Sequence, residues 1–160
     1  MKRIYIGICG KTDKNDGFLL EKEADFYFTE HLVKELKKLG YEVKVGRYCP
    51  PYHDTLERYL ECKKYQPDGI LEFHSREGAE IVLFYEGMKT QEMAKKIQKD
   101  LSEKGLKTEV KEKKNHSLSY DCPLYLVVEG EFHKEEVLEA VLNSMQTVEE
   151  HCILKESPIY

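Results

Sequence analysis

Short apolar runs alternate with longer segments of helical period along the whole chain, and that alternation leaves few folds open. Ile4 to Ile8 reads as a buried strand, after which Lys11 to Gly17 forms a polar loop. Phe28, Leu32, Leu36 and Leu39 then recur at helical spacing until Gly40 closes the helix as its C-cap. Tyr41 to Val45 is a second strand. After the turn-forming Pro50-Pro51 comes a helix over about Asp54 to Tyr65, with Asp54 or Thr55 as its N-cap. Gly69 to Phe73 and Glu80 to Tyr85 are further strands, and Thr90 can cap a helix with Met93, Ile97 and Leu101 on one face. A short strand lies near Thr108 to Lys111, and Leu124 to Val128 is a strongly apolar one. The last helix, about Lys134 to Glu149, carries Val137, Leu138, Val141, Leu142, Met145 and Val148 as its apolar stripe. Strands joined by helices of this length predict an α/β fold: a mostly parallel twisted sheet of about six strands with helices on both faces. No repeat, low-complexity stretch or linker interrupts the pattern, so residues 1–160 read as one domain, with a core of about 3–150 and a tail from 151 to 160.

Composition narrows the function classes. With 41% hydrophobic and 34% charged residues the chain is globular with a heavily charged surface. The net charge of -5 argues against a general nucleic-acid binder, which needs a basic field. Lysine is interleaved with glutamate, as in Lys34-Glu35-Leu36-Lys37-Lys38, the pattern of solvated helix faces. No apolar run reaches the length of a membrane span. The Met1 to Cys9 segment is too short and too interrupted for a signal peptide, so the expected location is cytoplasmic as synthesised, with later release to a cell wall left open. The cysteines (Cys9, Cys49, Cys62, Cys122, Cys152) are odd in number and form no Cys-x-x-Cys pair, which predicts free thiols in a reducing compartment.

In open α/β sheets ligands gather outside the carboxyl ends of the strands. Cys9, His74 and Glu129 fall at or just past such ends, and Glu21 stands at the start of the first long helix. Thiolate, carboxylate and imidazole are all zinc ligand types, and three protein ligands leave the open position a hydrolytic zinc needs. A nearby carboxylate off the metal can take the proton of the attacking water. Each residue also has a structural reading. Cys9 can be a small buried residue at a crowded turn, and Glu21 or Glu23 can favour the positive end of a helix. His74 can be a satisfied structural histidine, while Glu129, after Leu126-Val127-Val128, is costly to bury without a partner. His31, His53, His133 and His151 read as solvated, and His116 lies on a loop before the Glu129 strand that can fold over a pocket.

At these residues the sequence resembles the zinc-dependent N-acetylmuramoyl-L-alanine amidases. That family has a strand ending in Gly-His-Gly-Gly, then Leu-x-Glu-Lys entering a long helix that ends in Gly-Tyr-x-Val and an arginine. Here stand Gly7-Ile8-Cys9-Gly10-Lys11, Leu19-Leu20-Glu21-Lys22 and Gly40-Tyr41-Glu42-Val43 with Arg47. Leu56-Glu57-Arg58 stands for the family's Leu-x-x-Arg, and Pro67 to His74 for its Ala-Asp and Ile-Ser-Ile-His. Val82-Leu83-Phe84-Tyr85, Met93-Ala94-Lys95-Lys96-Ile97-Gln98 and Pro123 to Phe132 follow in the family's order. The likeness covers roughly residues 3 to 150.

Carried over position by position, the resemblance implies Glu21 and His74 as zinc ligands and Glu129 as the catalytic carboxylate. Cys9 takes the place of the first histidine ligand, and Glu72 stands where the family has serine. Glu72, on the same strand face as His74, is expected to orient that imidazole from behind, and Arg58 and His116 to support the ligands or meet the substrate. A thiolate binds zinc well but donates more charge than imidazole, which makes the metal a poorer Lewis acid. The resemblance thus implies a zinc amidase, autolysin-like or endolysin-like, that cuts the bond between muramic acid and L-alanine in peptidoglycan. Two other readings stay open: a relative that binds muropeptide or a protein partner without turnover, and a metal-dependent hydrolase of another amide.

Overall fold

The computed structural model describes residues 3–9, 17–48, 55–112, 122 and 124–156. Its elements are β1 (Arg3–Cys9), α1 (Gly17–Lys38), β2 (Glu42–Tyr48), α2 (Thr55–Tyr65), β3 (Gly69–His74), β4 (Ile81–Glu86), α3 (Met88–Glu103), β5 (Thr108–Glu112), β6 (Leu124–Glu129) and α4 (Glu135–Glu156). The strands form one six-stranded sheet in the order β2-β1-β3-β6-β4-β5. β2, β1, β3 and β6 run parallel, β4 runs antiparallel to β6, and β5 is parallel to β4. The expected α/β architecture, a mostly parallel six-stranded sheet, is the one found.

The central strands are buried on both faces, which is why they read as continuous apolar runs. Ile4 to Ile8 of β1 and the first five residues of both β3 and β6 are all buried. Their two-residue period sorts them between two cores. Ile4, Ile6, Ile8, Leu71, Phe73, Leu126 and Val128 pack with α1, α3 and α4 on one face. Tyr5, Ile70, Tyr125 and Val127 pack with Cys62 of α2 on the other. The edge strand β5 (Thr-Glu-Val-Lys-Glu) is mostly exposed, and its charges discourage pairing with a further chain.

Helix α1 ends as its sequence predicts. Gly40 takes φ +95°, Tyr41 N–H donates to the Leu36 carbonyl at 3.1 Å and Gly40 N–H to that of Lys37 at 3.0 Å. These paired bonds satisfy carbonyls that the helix end leaves open. Two other boundaries differ from expectation. Thr90 does not cap α3, because the chain enters that helix earlier, after Gly87 at φ 87°. The Thr90 hydroxyl is buried and instead accepts the Tyr125 N–H at 3.1 Å, tying α3 to β6. Helix α4 continues past Glu149 to Glu156, so most of the expected tail is helical. Asp54, Pro50-Pro51, the loop from 11 to 16, Lys113-Lys114, His53, His116 and residues 157–160 lie outside the described residues.

Candidate functional site

Strand pairing brings three of the residues singled out above into one lateral row. Cys9 of β1 is in register with His74 of β3, and His74 with Glu129 of β6. All three positions close parallel strands at the same edge of the sheet. With neighbouring strands about 4.8 Å apart, the backbones of Cys9 and Glu129 stand roughly 10 Å apart with His74 between them. The next row on the same face, two residues down each strand, is Gly7, Glu72 and Val127.

Helix α1 reaches the same edge. Its Phe28 ring meets Phe73 at 5.0 Å and Phe132 at 5.3 Å between centroids, and Phe73 meets Phe132 at 5.5 Å. Phe73 precedes His74 on β3 and so faces the opposite side of the sheet from it, where the aromatic trio packs α1 against the sheet behind the row. At a rise of 1.5 Å per residue, Glu21 lies about 10 Å from Phe28 toward the N-terminal end of α1. For Cys9, Glu21 and Arg58 the described structure is the backbone alone: Cys9 ends β1, Glu21 lies in the second turn of α1, and Arg58 lies in the first turn of α2. Among the described side chains, which do not include those of Cys9 and Glu21, no three potential ligands cluster.

The side chains that are described form two contacts at the edge. Glu72, 2% exposed, places Oε2 3.2 Å from Nε2 of His74, whose own side chain is 28% exposed. Arg76, in the loop leaving β3, donates from Nη1 to Oε1 of Glu129 at 3.4 Å. The sequence reading missed Arg76. A cation two residues beyond His74 was the available signal, but the carboxylate it meets is 53 residues away.

The backbone holds these loops together through Gly130. Its N–H donates to the His74 carbonyl at 2.9 Å, and its carbonyl accepts from Arg76 N–H at 3.4 Å and Phe132 N–H at 2.9 Å. Gly130 has φ +138°, and a Cβ there would sit 2.8 Å from the Glu80 carbonyl oxygen and 2.9 Å from Cδ1 of Ile81. Gly130→Ala is therefore expected to cost about 2–3 kcal/mol of stability, read as a lower urea midpoint.

Elsewhere, His31 and His133 line a cleft of about 280 Å³ between α1 and the start of α4, together with Tyr27, Phe28, Lys134 and Leu138. His31 is exposed as expected, whereas His133 is half-buried, because the chain turns inward at Phe132 to start α4. Cys62 is buried and the Cys122 thiol donates to the Leu124 carbonyl at 3.2 Å, and no helix of the described residues is long and apolar enough to cross a membrane.

Solved structures share this arrangement of elements. The catalytic domain of CwlV, an N-acetylmuramoyl-L-alanine amidase from Bacillus (Paenibacillus) polymyxa var. colistinus, matches with a TM-score of 0.66 at 12% identity, covering 94% of this chain and 99% of that one. The N-acetylmuramoyl-L-alanine amidase AmiC2 of Nostoc punctiforme matches at 0.69 and 13% identity, over 93% of this chain and 97% of that one. An N-acetylmuramoyl-L-alanine amidase from Clostridium difficile 630 matches at 0.63 and 14% identity, over 98% of both chains. No protein-family model and no curated protein matches the sequence. At such identities the likeness is one of fold.

Proposed function

We propose that this chain, built on the fold of N-acetylmuramoyl-L-alanine amidase catalytic domains, is a zinc-dependent amidase that cleaves the amide between muramic acid and L-alanine in peptidoglycan. The observation that carries the reading is the row of Cys9, His74 and Glu129 at the carboxyl ends of three adjacent parallel strands. Cys9, Glu21 and His74 would hold the ion. Their chemistry suits it: all three are zinc ligand types, and His74 presents an imidazole already engaged on one nitrogen by a buried carboxylate. When bound, zinc supplies a Lewis acid for the scissile carbonyl and for water.

The chain's own groups do the rest. Glu129 takes a proton from the attacking water and passes it to the leaving nitrogen of L-alanine. Arg76, at 3.4 Å, gives that carboxylate a charged partner at the rim of the site. The Phe28, Phe73 and Phe132 rings pack α1, the helix that bears Glu21, onto the opposite face of the sheet behind the row.

The test combines elemental analysis of protein purified without chelator with digestion of peptidoglycan. About one zinc per chain is expected, lost in Cys9→Ser, together with release of new alanine amino termini that ceases on chelation and returns with zinc. Zinc-loaded protein that frees no amino termini from peptidoglycan of any chemotype would sink the proposal. Muropeptide affinity without turnover would then favour a binding protein, and turnover of other amides a hydrolase of different substrate.

A further inference from the structure

We infer that Glu72 is a positioning residue that decides which nitrogen of His74 faces the metal: its carboxylate takes the Nε2–H and leaves Nδ1 for the ion. The role toward an ion rests on the zinc reading above; the contact itself rests on geometry. Residues two apart on a strand face the same side, so Glu72 and His74 of β3 share a face. The contact runs between Oε2 and Nε2 at 3.2 Å, with the carboxylate 2% exposed. An ionised carboxylate only accepts hydrogen bonds, so this contact is a bond when Nε2 carries the proton. The neutral ring then keeps its lone pair on Nδ1, the form in which imidazole binds a metal.

The row that holds Glu72 explains why the carboxylate sits there. Its lateral neighbours are Gly7, which has no side chain, and the apolar Val127, 1% exposed. Neither competes for the carboxylate, and Gly7 leaves space beside it. A carboxylate is costly to bury in a strand otherwise made of Ile70, Leu71 and Phe73. The imidazole above it supplies the donor that offsets this cost. A carboxylate behind a ligating histidine fixes the ring orientation and raises the basicity of the ligand.

The experiment uses the whole protein with ¹⁵N-labelled histidine. Ring ¹H–¹⁵N correlations are recorded with and without zinc, and zinc affinity is measured by chelator competition for wild type, Glu72→Gln and Glu72→Ala. Expected is an Nε2–H ring in the zinc-free wild type, with the Nδ1 resonance moving on zinc addition. Glu72→Ala is expected to lose about 10–100-fold in zinc affinity, while Glu72→Gln, whose amide oxygen still accepts the Nε2–H, retains most of it. Zinc binding through Nε2, or a folded Glu72→Ala protein with wild-type zinc affinity, overturns this inference alone. A wild type that takes up no zinc overturns the amidase reading and the role toward the ion with it. The ring spectrum of zinc-free Glu72→Gln keeps the test decisive if the alanine variant does not fold.

Discussion

Glu129→Gln is expected to slow release of alanine amino termini from peptidoglycan by about 10²–10⁴-fold while leaving zinc content unchanged. The substitution keeps the shape of the side chain and removes its capacity to take a proton. Structural damage should be small, because Glu129 ends β6, is 28% exposed and has Arg76 as its charged partner. An ion pair at that exposure contributes only about 0–1 kcal/mol, so its weakening cannot mimic the loss of turnover. The measurement is initial rate, zinc per chain and unfolding midpoint on the same preparation. Retained turnover would remove Glu129 from the proton path. Loss of zinc would instead make it a ligand, with a different group carrying the proton.

Phe132→Ala carries the largest expected effect on stability, about 3–5 kcal/mol by urea denaturation. Phe132 is fully buried, and its ring touches both Phe28 and Phe73. The substitution removes a large apolar side chain, leaves a cavity among three elements and breaks two aromatic contacts worth about 0.5–1.5 kcal/mol each. Because the trio joins α1, β3 and the turn after β6, loosening it also frees the helix that bears Glu21 from the strand that bears His74. Zinc affinity should therefore fall along with stability. Met88→Ala is the matched control: at 81% exposure it should change stability by less than about 0.5 kcal/mol. Equal effects from the two variants would mean that the trio does not support the site.

Much of this molecule is written in local sequence. Strands such as Ile4 to Ile8 and Leu124 to Val128 announce themselves because strands buried on both faces need apolar residues at every position. Gly40 announces the end of α1 because the left-handed turn there favours a residue without Cβ. The Thr90 cap was misread because threonine suits a helix start in general. Its hydroxyl is claimed by Tyr125, a partner 35 residues away that no local pattern reveals. The end of α4 was placed too early: the helix runs past Glu149 to Glu156.

The candidate site divides along the same line. Residue type and position at a strand end made Cys9, His74 and Glu129 visible as candidates, and period two placed Glu72 on the His74 face. Local sequence carries the order of elements, the residues that must be buried and the donor chemistry available at the strand ends. Only the tertiary structure decided that Cys9, His74 and Glu129 share one row, that β4 runs against β6, that Glu72 is buried against Nε2 and that Arg76 meets Glu129. The physical reason is that burial and helical period depend on residues within a turn or two of each other. Register and strand order depend instead on how α1, α3 and α4 pack their apolar faces onto the sheet, which no short stretch of chain specifies.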